Sequence, residues 1–138
     1  MAVRGKLSKL ESISFNSLIV IDVHARDIVE ELRDEEIINI KDFGWIKNLR
    51  YYWTEDCQVS CLQTFFPYGY EYMGNSWRLV ITPLTDKCYI TLMGALNVFR
   101  GGAPAGPAGT GKTETTKDLA KALSKKCNVF NCSPEMSS

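Results

Sequence analysis

The sequence predicts an α/β fold over its second half and an α+β segment ahead of it. Two observations carry this. Residues Gly106-Pro107-Ala108-Gly109-Thr110-Gly111-Lys112-Thr113 fit G-x-x-x-x-G-K-[ST], a loop that cradles phosphates. The loop also stands in the context it requires. Asn97-Val98-Phe99 reads as a short buried strand before it, Thr113 to Lys126 as a helix after it, and Asn128-Val129-Phe130 as a second strand. The helix carries Leu119, Ala120, Ala122 and Leu123 on its buried face and turns Lys117, Lys121 and Lys125 to water. Lys125 and Lys126 complement its negative end.

Each fixed residue of the loop answers a physical need. Glycines let the backbone turn, and approach a phosphate, where a Cβ would forbid it. Successive amides then converge on the β-phosphate at the positive helix end near Gly111. Lys112 brings a point charge to the β and γ oxygens, and the Thr113 hydroxyl is a ligand for Mg2+. The motif and its context make this a nucleotide site.

At 138 residues, 45% hydrophobic and with zero formal net charge, the chain reads as globular. Balanced charge gives no reason to expect nucleic acid or an anionic membrane as partner. No apolar run approaches the roughly 20 residues that span a bilayer, and no signal-peptide core opens the chain, so a soluble intracellular protein is expected. Cys57, Cys61, Cys88, Cys127 and Cys132 form no C-x-x-C pair, and His24 is the one imidazole. Reduced, mostly buried thiols are expected rather than a zinc site. Asn131-Cys132-Ser133 fits a glycosylation acceptor, but a phosphate-loop chain without a signal sequence would not meet that enzyme.

The α+β segment begins with residues 7–32. There Leu7, Leu10, Ser14, Leu18, Ile21, Ala25, Ile28 and Leu32 recur at steps of three and four, the spacing of one face of a core helix. Leu18-Ile19-Val20-Ile21-Asp22 inside it has the look of a magnesium-site strand, but the helical register runs through it unbroken. His24 beside that face reads as a surface or packing residue, and Glu30, Glu31, Asp34, Glu35 and Glu36 as a solvated helix end. Ile37 to Arg50 predicts a second helical piece, with Phe43, Trp45, Ile46 and Leu49 as its apolar side. Leu49 to Trp53 predicts a strand, Thr54-Glu55-Asp56 a turn, and Cys57 to Phe66 one return strand. Pro67 to Tyr70 and Gly74-Asn75 break the pattern, placing a boundary between about Phe66 and Asn75. Tyr68, Tyr70 and Tyr72, with no basic patch beside them, are expected to pack between two units. Arg78 to Ile81 is strand-like, Pro83 stops it, and Thr85 or Asp86 caps a helix with Tyr89, Leu92, Met93 and Leu96 on one face, ending near Asn97. An apolar segment there, just ahead of the loop, is well placed to hold a purine.

Three blocks closely resemble the first AAA+ module of dynein heavy chains: Tyr70 to Asn75, Arg78 to Asp86, and Gly101-Gly102-Ala103-Pro104 through Leu119. Val20 to Asp27 and Leu49 to Trp53 resemble the C-terminal end of the dynein linker, and the histidine-containing helix points to the axonemal branch. The resemblance implies a P-loop module of the three-layer αβα type over residues 69–138 and a linker-end segment over residues 1–68. It implies ATP and Mg2+, with Gly106, Pro107, Ala108, Gly109, Thr110, Gly111, Lys112, Thr113 and Glu114 on the phosphates. Lys112 takes the catalytic role, Thr113 faces Mg2+, and Val80, Ile81, Thr82 and Leu84 line the adenine pocket. Trp77 and Ile90 stand where the resemblance leads one to expect smaller or more polar residues.

In the intact motor the resemblance implies ATP-driven, minus-end-directed movement on microtubules. The partners are the other heavy-chain modules and the intermediate and light chains, in cytoplasm, cytoskeleton or ciliary axoneme. The acidic magnesium-site strand, the sensors and the arginine finger of such modules have no counterpart in these residues, so little hydrolysis is expected from the chain by itself. A noncatalytic nucleotide-binding or dynein-associated interaction module is the alternative reading. A small independent kinase or GTPase is disfavoured, because no base-recognition motif follows the loop.

Overall fold

The computed structural model describes residues 5–74 and 76–132. Ser8 opens the first helix, α1 (Lys9–Asp34), with a capping box: its side chain accepts from the Glu11 amide while the Glu11 carboxylate takes the Ser8 amide. The expected helical register holds through Leu18 to Asp22, so that stretch is helix and not strand. The expected core role does not hold. None of the side chains of α1 is buried, and Leu18 and Ile21 remain about half exposed. The helix is fastened by its ends and by polar contacts, with Ser17 Oγ donating to the Ser76 carbonyl at 3.0 Å and Glu31 paired with Lys47 at 2.8 Å.

The helix expected over residues 37–50 contracts to a single turn, α2 (Phe43–Ile46). Asn39, Lys41 and Asp42 hydrogen-bond among themselves just before it, and these local side-chain bonds compete with a longer helix. An antiparallel sheet follows in the order β1 (Arg50–Trp53), β2 (Cys57–Cys61), β3 (Thr64–Pro67). The first turn falls at Thr54 to Asp56, as the sequence predicts, with Trp53 opposite Cys57. The single return strand expected over residues 57–66 is instead two strands. Leu62 takes φ 55°, and Cys61 pairs with Thr64 across a two-residue turn. A left-handed leucine carries no glycine or asparagine signal, which is why the break is invisible in the sequence.

Helix α3 (Pro83–Asn97) starts earlier than expected. Thr82, not Thr85 or Asp86, is its cap, in a reciprocal box with Thr85, and Pro83 occupies the first turn where its missing N–H costs nothing. Helix α4 (Lys112–Ala122) begins at the glycine loop and ends sooner than expected, at Ala122, with Leu123 as its cap and Ser124 at φ 50°. The core lies between β2, α3 and α4, where Val59, Cys61, Tyr89, Leu92, Met93, Leu119 and Leu123 cluster. Leu96, expected on that face, is exposed. Of the five thiols Cys61 is buried, Cys57, Cys88 and Cys127 are half-buried and Cys132 is exposed, so the thiols are less buried than expected.

Three expected strands are absent among the described residues. Asn97 is still helical, Val98 caps α3, and Phe99 turns left-handed at φ 56° with 98% of its surface exposed. Residues 128–130 run without a pairing partner, and in the stretch 78–81 the Arg78 guanidinium and the Leu79 amide bind the Asp118 carboxylate of α4 rather than a strand. A strand exists only where a neighbour takes up its amides and carbonyls, and β1–β3 pair only among themselves. The content is therefore mixed helix and small antiparallel sheet. Asn75 of the expected Gly74-Asn75 turn, and Ser133 of the acceptor triplet, lie outside the described residues.

Candidate functional site

The loop ahead of α4 is shaped by its glycines. Gly109 and Gly111 stand at φ 78° and 80°, a left-handed conformation that side chains with a Cβ rarely adopt. Gly111 is the residue that caps α4, and no side chain closes that helix end. The amides of the first turn are therefore left without the side-chain acceptor that a serine or aspartate cap would supply. Glycine, with no side-chain oxygen, leaves that place to an external anion.

Lys112 is the first residue of α4, and its ammonium turns back over the loop. Its Nζ donates to the Gly106 carbonyl at 2.9 Å, the Pro107 carbonyl at 2.5 Å and Thr110 Oγ1 at 3.3 Å. Thr110 Oγ1 in turn donates to the Pro107 carbonyl at 2.9 Å. The cation thus lies inside the ring formed by residues 106–112. Thr113 is exposed, and the Glu114 carboxylate pairs with Lys117 at 2.8 Å, which holds its pKa below the ordinary value. Thr115 and Thr116 donate to the carbonyls of Gly111 and Lys112, staying within the helix.

The expected adenine segment lies along the same helix. The Leu79 amide and the Arg78 guanidinium both donate to the Asp118 carboxylate, at 3.2 and 3.3 Å, and Lys121 Nζ donates to the Trp77 carbonyl at 3.0 Å. Beyond that anchor, Val80 and Leu84 are 64% and 70% exposed. Thr82 is occupied in capping α3. Ile81 is half-buried and faces α1, lining a cavity of about 330 Å3 with Val20, His24, Arg78 and Tyr89. Phosphate-loop residues 106–113 do not line this cavity. The structure therefore brings the segment to the side of α4 without closing Val80, Ile81, Thr82 and Leu84 into one wall.

His24 lies at the border of that cavity and of a groove of about 440 Å3 that also holds Glu31, Lys47 and Asp86. Burial pushes the Asp86 carboxyl above its ordinary pKa, opposed by the nearby charges of His24 and Lys47. Tyr68 and Tyr70 stack edge to face at 5.0 Å and Tyr51 joins Tyr68 at 6.3 Å, while Tyr72 is exposed.

Residues 68–138 match the family described as the hydrolytic ATP binding site of the dynein motor region. The chain belongs to that dynein motor family. It is 60% identical over 135 residues to dynein axonemal heavy chain 1 of Mus musculus, covering 97% of this chain and 3% of that protein. It is 64% identical over 132 residues to dynein axonemal heavy chain 3 of Homo sapiens and 58% identical over 134 residues to human dynein axonemal heavy chain 6, covering 95% of this chain and 3% of each relative. The chain thus spans about 3% of the length of these axonemal dynein relatives, and it carries a nucleotide-binding segment of the motor.

Asp118, Tyr89 and Arg78 escaped the sequence reading as members of the site. An aspartate in a lysine-rich helix reads as a solvated residue. The one available signal was its place a single residue before Leu119, on the side of α4 that also carries Thr115 and Ala122.

Proposed function

We propose that this chain grips the triphosphate of Mg-ATP as part of an axonemal dynein heavy chain. The observation that carries the reading is the combination at the start of α4: a helix end capped by a left-handed glycine, and a lysine ammonium already turned into the loop. Residues 106–111 and the amides of Lys112, Thr113 and Glu114 would hold the phosphates, Lys112 would pass its ammonium from loop carbonyls to β and γ oxygens, and Thr113 would face Mg2+. The bound metal supplies neutralisation of charge developing on the phosphates. Val80, Ile81, Thr82 and Leu84 would line the adenine side once the segment held by Asp118 closes over the base.

Within the whole motor, residues 1–68 would form the end of the linker and residues 69–138 the start of a three-layer P-loop ATPase module. ATP turnover there would drive movement along microtubules in the axoneme, with the remaining modules and the intermediate and light chains as partners. A Mg-ATP titration of the purified chain tests the reading, and an absence of binding at millimolar nucleotide refutes it. A noncatalytic interaction module is the second reading, favoured by the exposed apolar residues of α1, among them Leu10, Leu18, Ile19 and Val29. Binding to other dynein segments without any nucleotide affinity would select it.

A further inference from the structure

Asp118 sits six residues beyond Lys112 on α4, its side chain 2% exposed. A buried carboxylate is costly unless its oxygens are met. Here three donors meet them, each from a different piece of chain or a different group. Tyr89 Oη of α3 donates to Oδ2 at 2.7 Å, the Leu79 amide to Oδ1 at 3.2 Å, and Arg78 Nη2 to Oδ2 at 3.3 Å. One turn further along the same face, Lys121 holds the Trp77 carbonyl. The cost accepted at this junction is visible in Arg78, whose Nε is buried and without a hydrogen-bond partner among the described residues. The guanidinium remains there although one of its donors goes unmet, which singles out the carboxylate as its anchor.

We propose that Asp118 is a positioning residue for the nucleotide base, setting segment 77–82 at a fixed station along the helix that begins at the phosphate loop. This rests on the nucleotide reading above and adds a division of labour to it. At about 1.5 Å of rise per residue, Asp118 lies about 9 Å along the axis from Lys112. Lys112 and the glycines act on the phosphates, and Asp118 acts, through Leu79 and Arg78, on the part of the chain that would cover the base. The carboxylate itself touches neither.

The division makes the test sharp. Mg-ATP and Mg-tripolyphosphate, which has the phosphates and no base, are titrated into the full 138-residue chain as wild type, Asp118→Asn and Tyr89→Phe. Asp118→Asn keeps the shape and removes the charge, and should weaken ATP about tenfold while leaving tripolyphosphate within about twofold. Tyr89→Phe keeps the ring and removes one donor, and should lower the ratio of ATP to tripolyphosphate affinity about threefold. A purely structural role predicts that both ligands weaken together, and that result overturns the proposal. So does an unchanged ratio in Tyr89→Phe, which decides the matter if Asp118→Asn does not fold. Wild-type chain that binds tripolyphosphate as tightly as ATP overturns the proposal alone. Wild-type chain that binds neither overturns the nucleotide reading as well.

Discussion

Replacing Lys112 by alanine isolates the charge at the centre of the loop. In this structure the ammonium is already satisfied by the carbonyls of Gly106 and Pro107 and by Thr110 Oγ1. Binding a phosphate is therefore an exchange. Bonds between an ammonium and neutral oxygens are given up for bonds between an ammonium and charged ones. Every one of these bonds is charge-assisted through the ammonium, so what the exchange adds is the attraction between that cation and a full negative charge, about 1 kcal/mol a bond at a water-exposed site. With two or three bonds exchanged, Lys112→Ala should lose about 2–3 kcal/mol, which is roughly thirty- to 150-fold in dissociation constant. The loss is smaller than for an unpaired lysine because the loop competes for the same charge. Calorimetric titration of wild type and variant with Mg-ATP, side by side at one salt concentration, measures it. Equal affinities would show that the ammonium stays on Gly106 and Pro107 in the complex, and the account of the loop would fail.

Three further outcomes follow from the same geometry. Tyr51→Phe removes the hydroxyl bond to the Ala122 carbonyl, made at 2.9 Å, and should lower stability by about 0.5–1.5 kcal/mol in urea unfolding; an unchanged midpoint would mean water already serves that carbonyl. Asp86 has its pKa raised by burial, so the folded chain holds that proton more tightly than the unfolded chain does. Its contribution is favourable at low pH and is lost as pH climbs from 3.8 through the raised value. Asp86→Asn should flatten stability over that range, and an identical pH profile refutes the assignment. The purified chain should also self-associate through Phe99, Phe130 and the exposed apolar residues of α1, among them Leu10, Leu18, Ile19 and Val29; light scattering of a strictly monomeric species over a wide concentration range would contradict this.

The legible parts of the fold were those with local causes. The period of α1, the Thr54 to Asp56 turn, the faces of α3 around Tyr89, Leu92 and Met93, and the glycine loop all announce themselves in a few consecutive residues. What failed was long-range. Residues 97–99 and 128–130 have strand-forming side chains, but pairing is decided by a neighbour, and no other strand lies beside them among the described residues. The periodic face of α1 predicts a helix, which forms, and a core position, which it does not take, because periodicity reports which side is apolar and not what covers it. The loop residues 106–113 were readable from spacing, whereas Asp118 acquires its role from Leu79, thirty-nine positions earlier in the chain. No window of sequence contains both.

Helix α4 is held at both tips. Its first turn is the loop around Lys112. The carbonyls at and just beyond its end are claimed by other parts of the chain: Ala122 by the Tyr51 hydroxyl, Leu123 by the Gly69 amide and Ser124 by the Glu71 amide. Eleven residues of helix make a strut about 16 Å long between those two attachments. A rod pinned this way cannot tilt at one tip without pulling at the other. Engagement of an anion at the loop should therefore register as slowed hydrogen exchange at the Gly69 and Glu71 amides, at the far tip from the anion. Exchange there that is indifferent to nucleotide would mean the rod slips in its mountings.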